Sequence, residues 1–157
     1  MGPVTGVPVP GLEHAFDVEV TLGALEDHGE TRRGHRRVVP IVGGRVSGLF
    51  DAEILAGGAD WQIVRPDGTI EVDARYTAKT PGGAHILIHA TGVRSGPPAV
   101  LEALLRGEPV DPSAYYFRTV VTLEASAAEH ADLQRAIFVA SAVRAPDRVT
   151  YSAYRVT

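Results

Sequence analysis

The chain has no cysteine, one lysine (Lys79), one methionine and one tryptophan among its 157 residues. Without cysteine there is no disulfide framework, no thiolate nucleophile and no cysteine metal ligand. Arginine is therefore nearly the only basic residue. With 19 Asp and Glu against 15 Lys and Arg, the formal net charge is −4. That balance gives a nucleic-acid backbone no basic footprint, so no nucleic-acid partner is expected. No apolar run reaches the roughly 18 residues of a membrane-spanning helix, so no membrane partner is expected either. The opening MGPVTGVPVPG lacks the basic and apolar regions of a secretory signal. Its prolines and glycines mark residues 1–11 as a flexible lead-in to one domain spanning 12–157, and the expected address is cytoplasmic.

What the chain does have is period-two patterning. Leu12, His14, Phe16, Val18, Val20 and Leu22 share one parity, while Glu13, Asp17, Glu19 and Thr21 share the other. His14 on that apolar face reads as a hydrogen-bonded core histidine. The polar, Gly-punctuated stretch 26–34 reads as a loop, and 36–42 and 45–50 read as a hairpin turning at Gly43-Gly44, with 51–55 continuing its second strand. A short strand at 61–65 ends at Pro66-Asp67-Gly68, a sequence suited to a tight turn. Segments 69–79 and 84–91 form a longer hairpin. After Gly96-Pro97-Pro98 the Leu- and Ala-rich stretch 99–106, stopped by Gly107, predicts a small helix. Strand pattern returns at 115–124, 136–143 and 149–156, with a helical turn expected within 126–134. Nine or ten short strands at regular spacing, with one or two short helices, predict an all-β fold. An antiparallel, lipocalin-like β-barrel suits the hairpin meander best.

Four stretches carry a resemblance: RRGHRRVVPIVGGRVSG, then GGADWQIVRPDGTIEVDARYT, then GEPVDPSAYYFRT, then the closing VTYSAYRV. Together they resemble the UPF0311 family, also described as the DUF3237 domain of unknown function, over about residues 12–156. The resemblance implies a compact β-barrel and no generally accepted activity. The chain departs from the family pattern at Leu87 and His89, where many members carry Tyr and Arg. It departs again at Asp132-Leu133-Gln134, where Trp-Leu-Asn is usual.

For chemistry, His85 and His89 have the spacing of a zinc pair on a helix. On a strand they stand about 13 Å apart and cannot chelate one ion together, so no metal is expected. There is no G-x-S-x-G elbow, and the glycine pairs sit at strand turns rather than at strand-to-helix junctions. The remaining set is one of acids, bases and hydrogen-bonding groups. Asp73 and Arg75 share one strand face; Tyr116, Arg118 and Glu124 share another. Turned inward, these faces would form either an ion-pair network or a working site, because buried charges are costly unless paired. On the outside they would be solvated. In the working-site reading Glu124 or His89 is the base, Tyr116 the acid, and Arg75 and Arg118 hold an anionic group. Trp61, Asp73, Tyr76 and Arg118 would contact the substrate.

The resulting expectation is a cofactor-independent enzyme acting by general acid/base chemistry on a small carbonyl- or carboxylate-bearing molecule. Dehydration, isomerisation or cyclisation, as in specialised metabolism, are the reactions such a site would support. A non-catalytic small-molecule carrier and a structural oligomer are the alternatives, and a homo-oligomer, dimer or larger, is expected in each case.

Overall fold

The computed structural model describes residues 2–157. Ten strands run in chain order: β1 (Leu12–Leu22), β2 (Glu26–Thr31), β3 (Gly34–Gly48), β4 (Ala52–Ile54), β5 (Gly58–Val64), β6 (Ile70–Lys79), β7 (His85–Ser95), β8 (Tyr116–Ala125), β9 (Phe138–Ala145) and β10 (Arg148–Val156). All pairings are antiparallel, and eight strands close into a barrel in the order β1-β10-β9-β8-β7-β6-β5-β3 and back to β1. β2 and β4 stand outside that ring, β2 on the margin of β3 and β4 between β3 and β6. Helix α1 (Pro98–Leu105) and a 3-10 helix over Ala128–Arg135 complete the fold. No helix among the described residues is long and apolar enough to cross a membrane.

Alternation fixes the two sides of the wall. In β6, Ile70, Val72, Ala74, Tyr76 and Ala78 are buried, while the residues between them are not. In β8, Phe117, Thr119, Val121, Leu123 and Ala125 are buried and their neighbours are exposed. Cross-strand partners point the same way, so the β6–β7 pairing Tyr76↔Ile88 and the β7–β8 pairing Ile88↔Leu123 carry one inward row across three strands. The core is dense at one end. Phe16 packs against Phe50 and Phe138 at ring separations of 5.4 Å each, and Phe50 faces His130 of the 3-10 helix. Leu133, buried on that helix, joins this cluster and plugs the barrel there. At the opposite end lie the β5–β6 turn, α1 and the β9–β10 turn; α1 buries Leu101 beside Gly68, and Gly107 faces Pro146.

The local reading needs four corrections. Gly43-Gly44 is a bend within one long strand, not a hairpin turn. β3 pairs with β5 over His35–Ile41 and with β1 over Ile41–Gly48, so it changes partners at the bend. Gly44 takes φ +127°, and a Cβ there would lie 2.0 Å from the Glu19 carbonyl oxygen. Glycine is the residue that permits both the conformation and the close approach. Residues 26–31 form β2 rather than a loop, because β3 offers them an edge. Residues 52–54 form the separate strand β4. A register shift between His14 and Phe16 breaks the period-two run of β1, so Leu12 and His14 are exposed rather than in the core; His14 Nε2 instead meets Asp17 at 2.9 Å.

Gly44→Ala should cost more than about 1 kcal/mol, because left-handed backbone strain and a backbone clash act together. Urea unfolding followed by circular dichroism measures it, and an unchanged midpoint would show that the bend tolerates a side chain.

Candidate active site

The barrel wall divides the residues singled out from sequence. Tyr76 points inward and is buried. Asp73, Arg75 and His89 stand on the outer face, where Asp73 Oδ1 lies 2.8 Å from His89 Nε2 and 3.9 Å from Arg75 Nε. Tyr116 and Arg118 are also outside; the Arg118 guanidinium sits 5.2 Å from the Tyr116 ring centre and donates to the Phe117 carbonyl at 3.0 Å. Glu124 lines a shallow outer groove with Thr77, His85, Leu87 and Gln134. Trp61 is 40 % exposed on the outer side of β5. The structure therefore brings Asp73, Arg75 and His89 together, but on the solvent side, and leaves Glu124 and Tyr116 apart from them.

Inside, a small cavity of about 50 Å³ lies beneath the α1 end, with mostly apolar walls such as Val20, Val72 and Phe117. Its polar lining is Asp60, Tyr76, Thr119 and Tyr151. The volume suits a few waters or the reacting end of a molecule rather than a whole ligand of drug size. Asp60 reaches it because the β3–β5 and β5–β6 registers, Val39↔Asp60 and Asp60↔Ala74, place it in an inward row. Its Oδ2 accepts from the Gln62 side-chain amide at 2.8 Å, and its Oδ1 accepts from the Asp73 backbone N–H at 2.9 Å. Burial disfavours the carboxylate and raises the Asp60 pKa from 3.8, although both hydrogen bonds and the Arg94 charge pull the other way. Across the cavity the Tyr76 and Tyr151 hydroxyls meet at 2.5 Å. Desolvation raises both phenol pKa values, so the pair is neutral at ordinary pH.

Above the cavity stand three arginines at inward positions near one end of their strands: Arg37 opposite Gln62, Arg94 opposite Ile70 and Phe117, and Arg144 opposite Val149. Arg94 is only 4 % exposed. Its Nε has no hydrogen-bond partner, and neither does that of Arg37. Burial, then the Arg144 and Arg37 charges, push Arg94 down to about 10, so it stays cationic at neutral pH. Arg144 and Arg37 are lowered chiefly by burial as well. The Tyr115 hydroxyl accepts from the Arg144 backbone N–H at 3.1 Å and holds this end of β9 in place. Among the described residues no three His, Asp or Glu side chains gather as a metal cluster would.

The sequence pattern singles out none of Asp60, Arg37, Arg94 and Arg144 for chemistry. Strand parity is the signal that finds them. Arg94 shares the parity of Ile86, Ile88 and Ala90, and an arginine in an apolar row is the anomaly worth following.

Fold and interior together define a closed antiparallel β-barrel with one acid, a tyrosine pair and an arginine cluster at one end. A profile of the family described as "Protein of unknown function (DUF3237)" matches residues 10–156, and the chain belongs to that family. A UPF0311 protein of Bradyrhizobium diazoefficiens is 40% identical over 149 residues, covering 95% of this chain and 98% of that protein. The crystal structure of a conserved protein of unknown function from Rhodopseudomonas palustris superposes with a TM-score of 0.90 at 37% identity, covering 96% of this chain and 99% of the other. More distantly, a hydroalkoxylation enzyme of Penicillium herquei is 31% identical over 80 residues, about half of each chain. The crystal structure of an enzyme from the same fungus shares the fold at a TM-score of 0.71 and 19% identity, covering 98% of this chain and 100% of that one.

Two outcomes follow from the interior chemistry. Tyr76→Phe should cost about 1–3 kcal/mol, because it leaves the buried Tyr151 hydroxyl unpartnered; adding Tyr151→Phe should recover part of that loss. Strict additivity in urea unfolding would show that the two hydroxyls do not depend on each other. Because the folded-state pKa of Asp60 is raised, its contribution to stability is fully present below 3.8 and is lost as pH rises through the raised value. The stability of the native protein relative to Asp60→Asn should therefore decline with pH across that window, whereas a flat difference would show an unshifted Asp60.

Proposed function

We propose that this protein is an enzyme that moves a proton within a small carbonyl-bearing molecule inside the α1 end of the barrel, using its own side chains and no resident cofactor. The observation that carries the reading is Asp60: a carboxyl group held by two neutral donors, with its proton affinity raised by burial, in a cavity otherwise lined by apolar groups, two phenols and Thr119. A carboxyl group whose proton affinity is raised takes and returns a proton more readily than an exposed carboxylate does.

The reaction class best supported is intramolecular addition of a hydroxyl across a carbon–carbon double bond conjugated to a carbonyl. Asp60 takes the hydroxyl proton as the new C–O bond forms, and the C=C electron pair moves toward the carbonyl oxygen. The proton then returns to the carbon next to the carbonyl, so product and substrate are isomers and nothing is oxidised or reduced. The Tyr76–Tyr151 hydroxyl pair, neutral and buried, is suited to donating a hydrogen bond to the developing enolate. Cationic Arg94 adds favourable potential to that charge. The reacting end occupies the cavity and the rest of the molecule lies in the mouth beside the arginines. The half-chain similarity to a fungal hydroalkoxylation enzyme is in keeping with this class of chemistry.

The test uses hydroxyl-bearing α,β-unsaturated acids and ketones followed by NMR in D2O, where turnover places a solvent deuteron next to the carbonyl. Asp60→Asn should lower the enzyme-dependent rate by about 10²–10⁴-fold, the usual worth of a general acid/base. Glu124→Gln is the comparison, since Glu124 lies on the outer wall. Full activity in Asp60→Asn with loss in Glu124→Gln would move the chemistry outside the barrel. Tight binding without conversion would make the protein a carrier.

A further inference from the structure

We infer that the arginine end of the barrel is a subsite for a carboxylate, so that the molecule this protein takes is an organic acid with its anionic group at the mouth and its apolar body toward the cavity. The inference deepens the proposed function and rests on it for the reaction, but the binding stands on separate residues.

The first support is charge. Arg37, Arg94 and Arg144 stand on three inward rows at the same end of the barrel, and each is wholly or partly buried. Gathering three like charges away from water is unfavourable unless something of opposite sign joins them. The carboxyl group that acts on Arg94 is Asp60, and both of its oxygens are already engaged, one by Gln62 and one by the Asp73 backbone; Arg37 has Asp27 opposite it on β2, and Arg144 lies near Asp147. No carboxylate forms a salt bridge with any of the three among the described residues, and Arg94, the most buried of them, has no carboxyl group but Asp60 acting on it.

The second support is the state of Arg94. A side chain that is nine-tenths buried ordinarily has its donors satisfied. Arg94 instead leaves Nε unpartnered, and its guanidinium carbon sits 5.6 Å from the Phe117 ring centre. That aromatic contact accommodates the charge but fills no donor direction in the guanidinium plane. An unoccupied guanidinium fork matches the two oxygens of a carboxylate. Phe117 also lines the cavity, so one residue links the cationic mouth to the apolar chamber. An inorganic anion would gain nothing from those walls, whereas the hydrocarbon part of an organic acid would.

The test measures thermal unfolding and calorimetric binding of the full chain at constant ionic strength, with butyrate and benzoate, their neutral amides, and orthophosphate. The acids should raise the melting midpoint by about 5–10 °C at roughly 100 times their Kd, and the amides should not. Arg94→Met should abolish the response and, free of ligand, melt no lower than the native protein, because it removes a buried charge that has no partner. Arg94→Lys keeps the charge without the fork and should weaken acid binding by about tenfold or more. The subsite is overturned if the acids have no effect, if Arg94→Met or Arg94→Lys binds them as the native protein does, or if Arg94→Met melts well below it. Orthophosphate matching benzoate would also overturn it, by making this a general anion site. Carboxylate binding with undiminished turnover in Asp60→Asn would sink the catalytic reading alone; the converse pattern would sink the subsite alone.

Discussion

β1 is hydrogen-bonded along both edges, to β10 on one side and to β3 on the other, and this double pairing closes the sheet. Closure matters more than any single contact, because a closed sheet has an inside, and strand pleating then assigns every residue to the core or the surface. A one-residue slip in β6 would exchange Ile70, Val72 and Tyr76 for Glu71, Asp73 and Arg75 in the interior. The apolar alternative wins because burying those charges without partners costs far more than the pairing energy a slipped register could recover. The outer Asp73–His89 contact and the inner Tyr76–Tyr151 contact follow from that one choice.

The barrel's two ends are chemically unlike. At one, Phe16, Phe50, Phe138 and Leu133 pack together in the lumen and close it. At the other, arginines stand on the inward rows and a carboxyl group sits beneath them. Stability is concentrated in the first end and unsatisfied electrostatics in the second. This division is what a binding or catalytic site on a rigid scaffold requires.

Much of this architecture was legible in the residues. Alternation located most of the strands, Pro66-Asp67-Gly68 marked the β5–β6 turn, and Gly96-Pro97-Pro98 marked the entry to α1. The bend at Gly43-Gly44 was misread because two glycines between apolar runs signal a turn by composition, while the need for them came from the approach of Glu19, a contact distant in sequence. β2 was invisible because its residues are polar on both sides and become a strand through the edge that β3 presents. At the site, residue types drew the eye to the charged parity of β6 and β8, whereas the apolar parity determines which side is inside. Asp60 was hidden by its setting: only the simultaneous registers of β3, β5 and β6 show that it points into the lumen.

The pairing that closes the barrel joins Leu12 to Val156 and Thr21 to Arg148, the first and last strands of the domain. Until β10 has been synthesised, β9 lacks its second partner and β1 can pair only with β3. A growing chain therefore carries unpaired strand edges through almost the whole of its synthesis, and its interior cannot be sealed from water. Contacts of such sequence separation make folding slow and leave partly folded chains liable to join edge to edge. The acidic and basic side chains on the outer parity of β1, β6 and β8 oppose that association during the interval before closure.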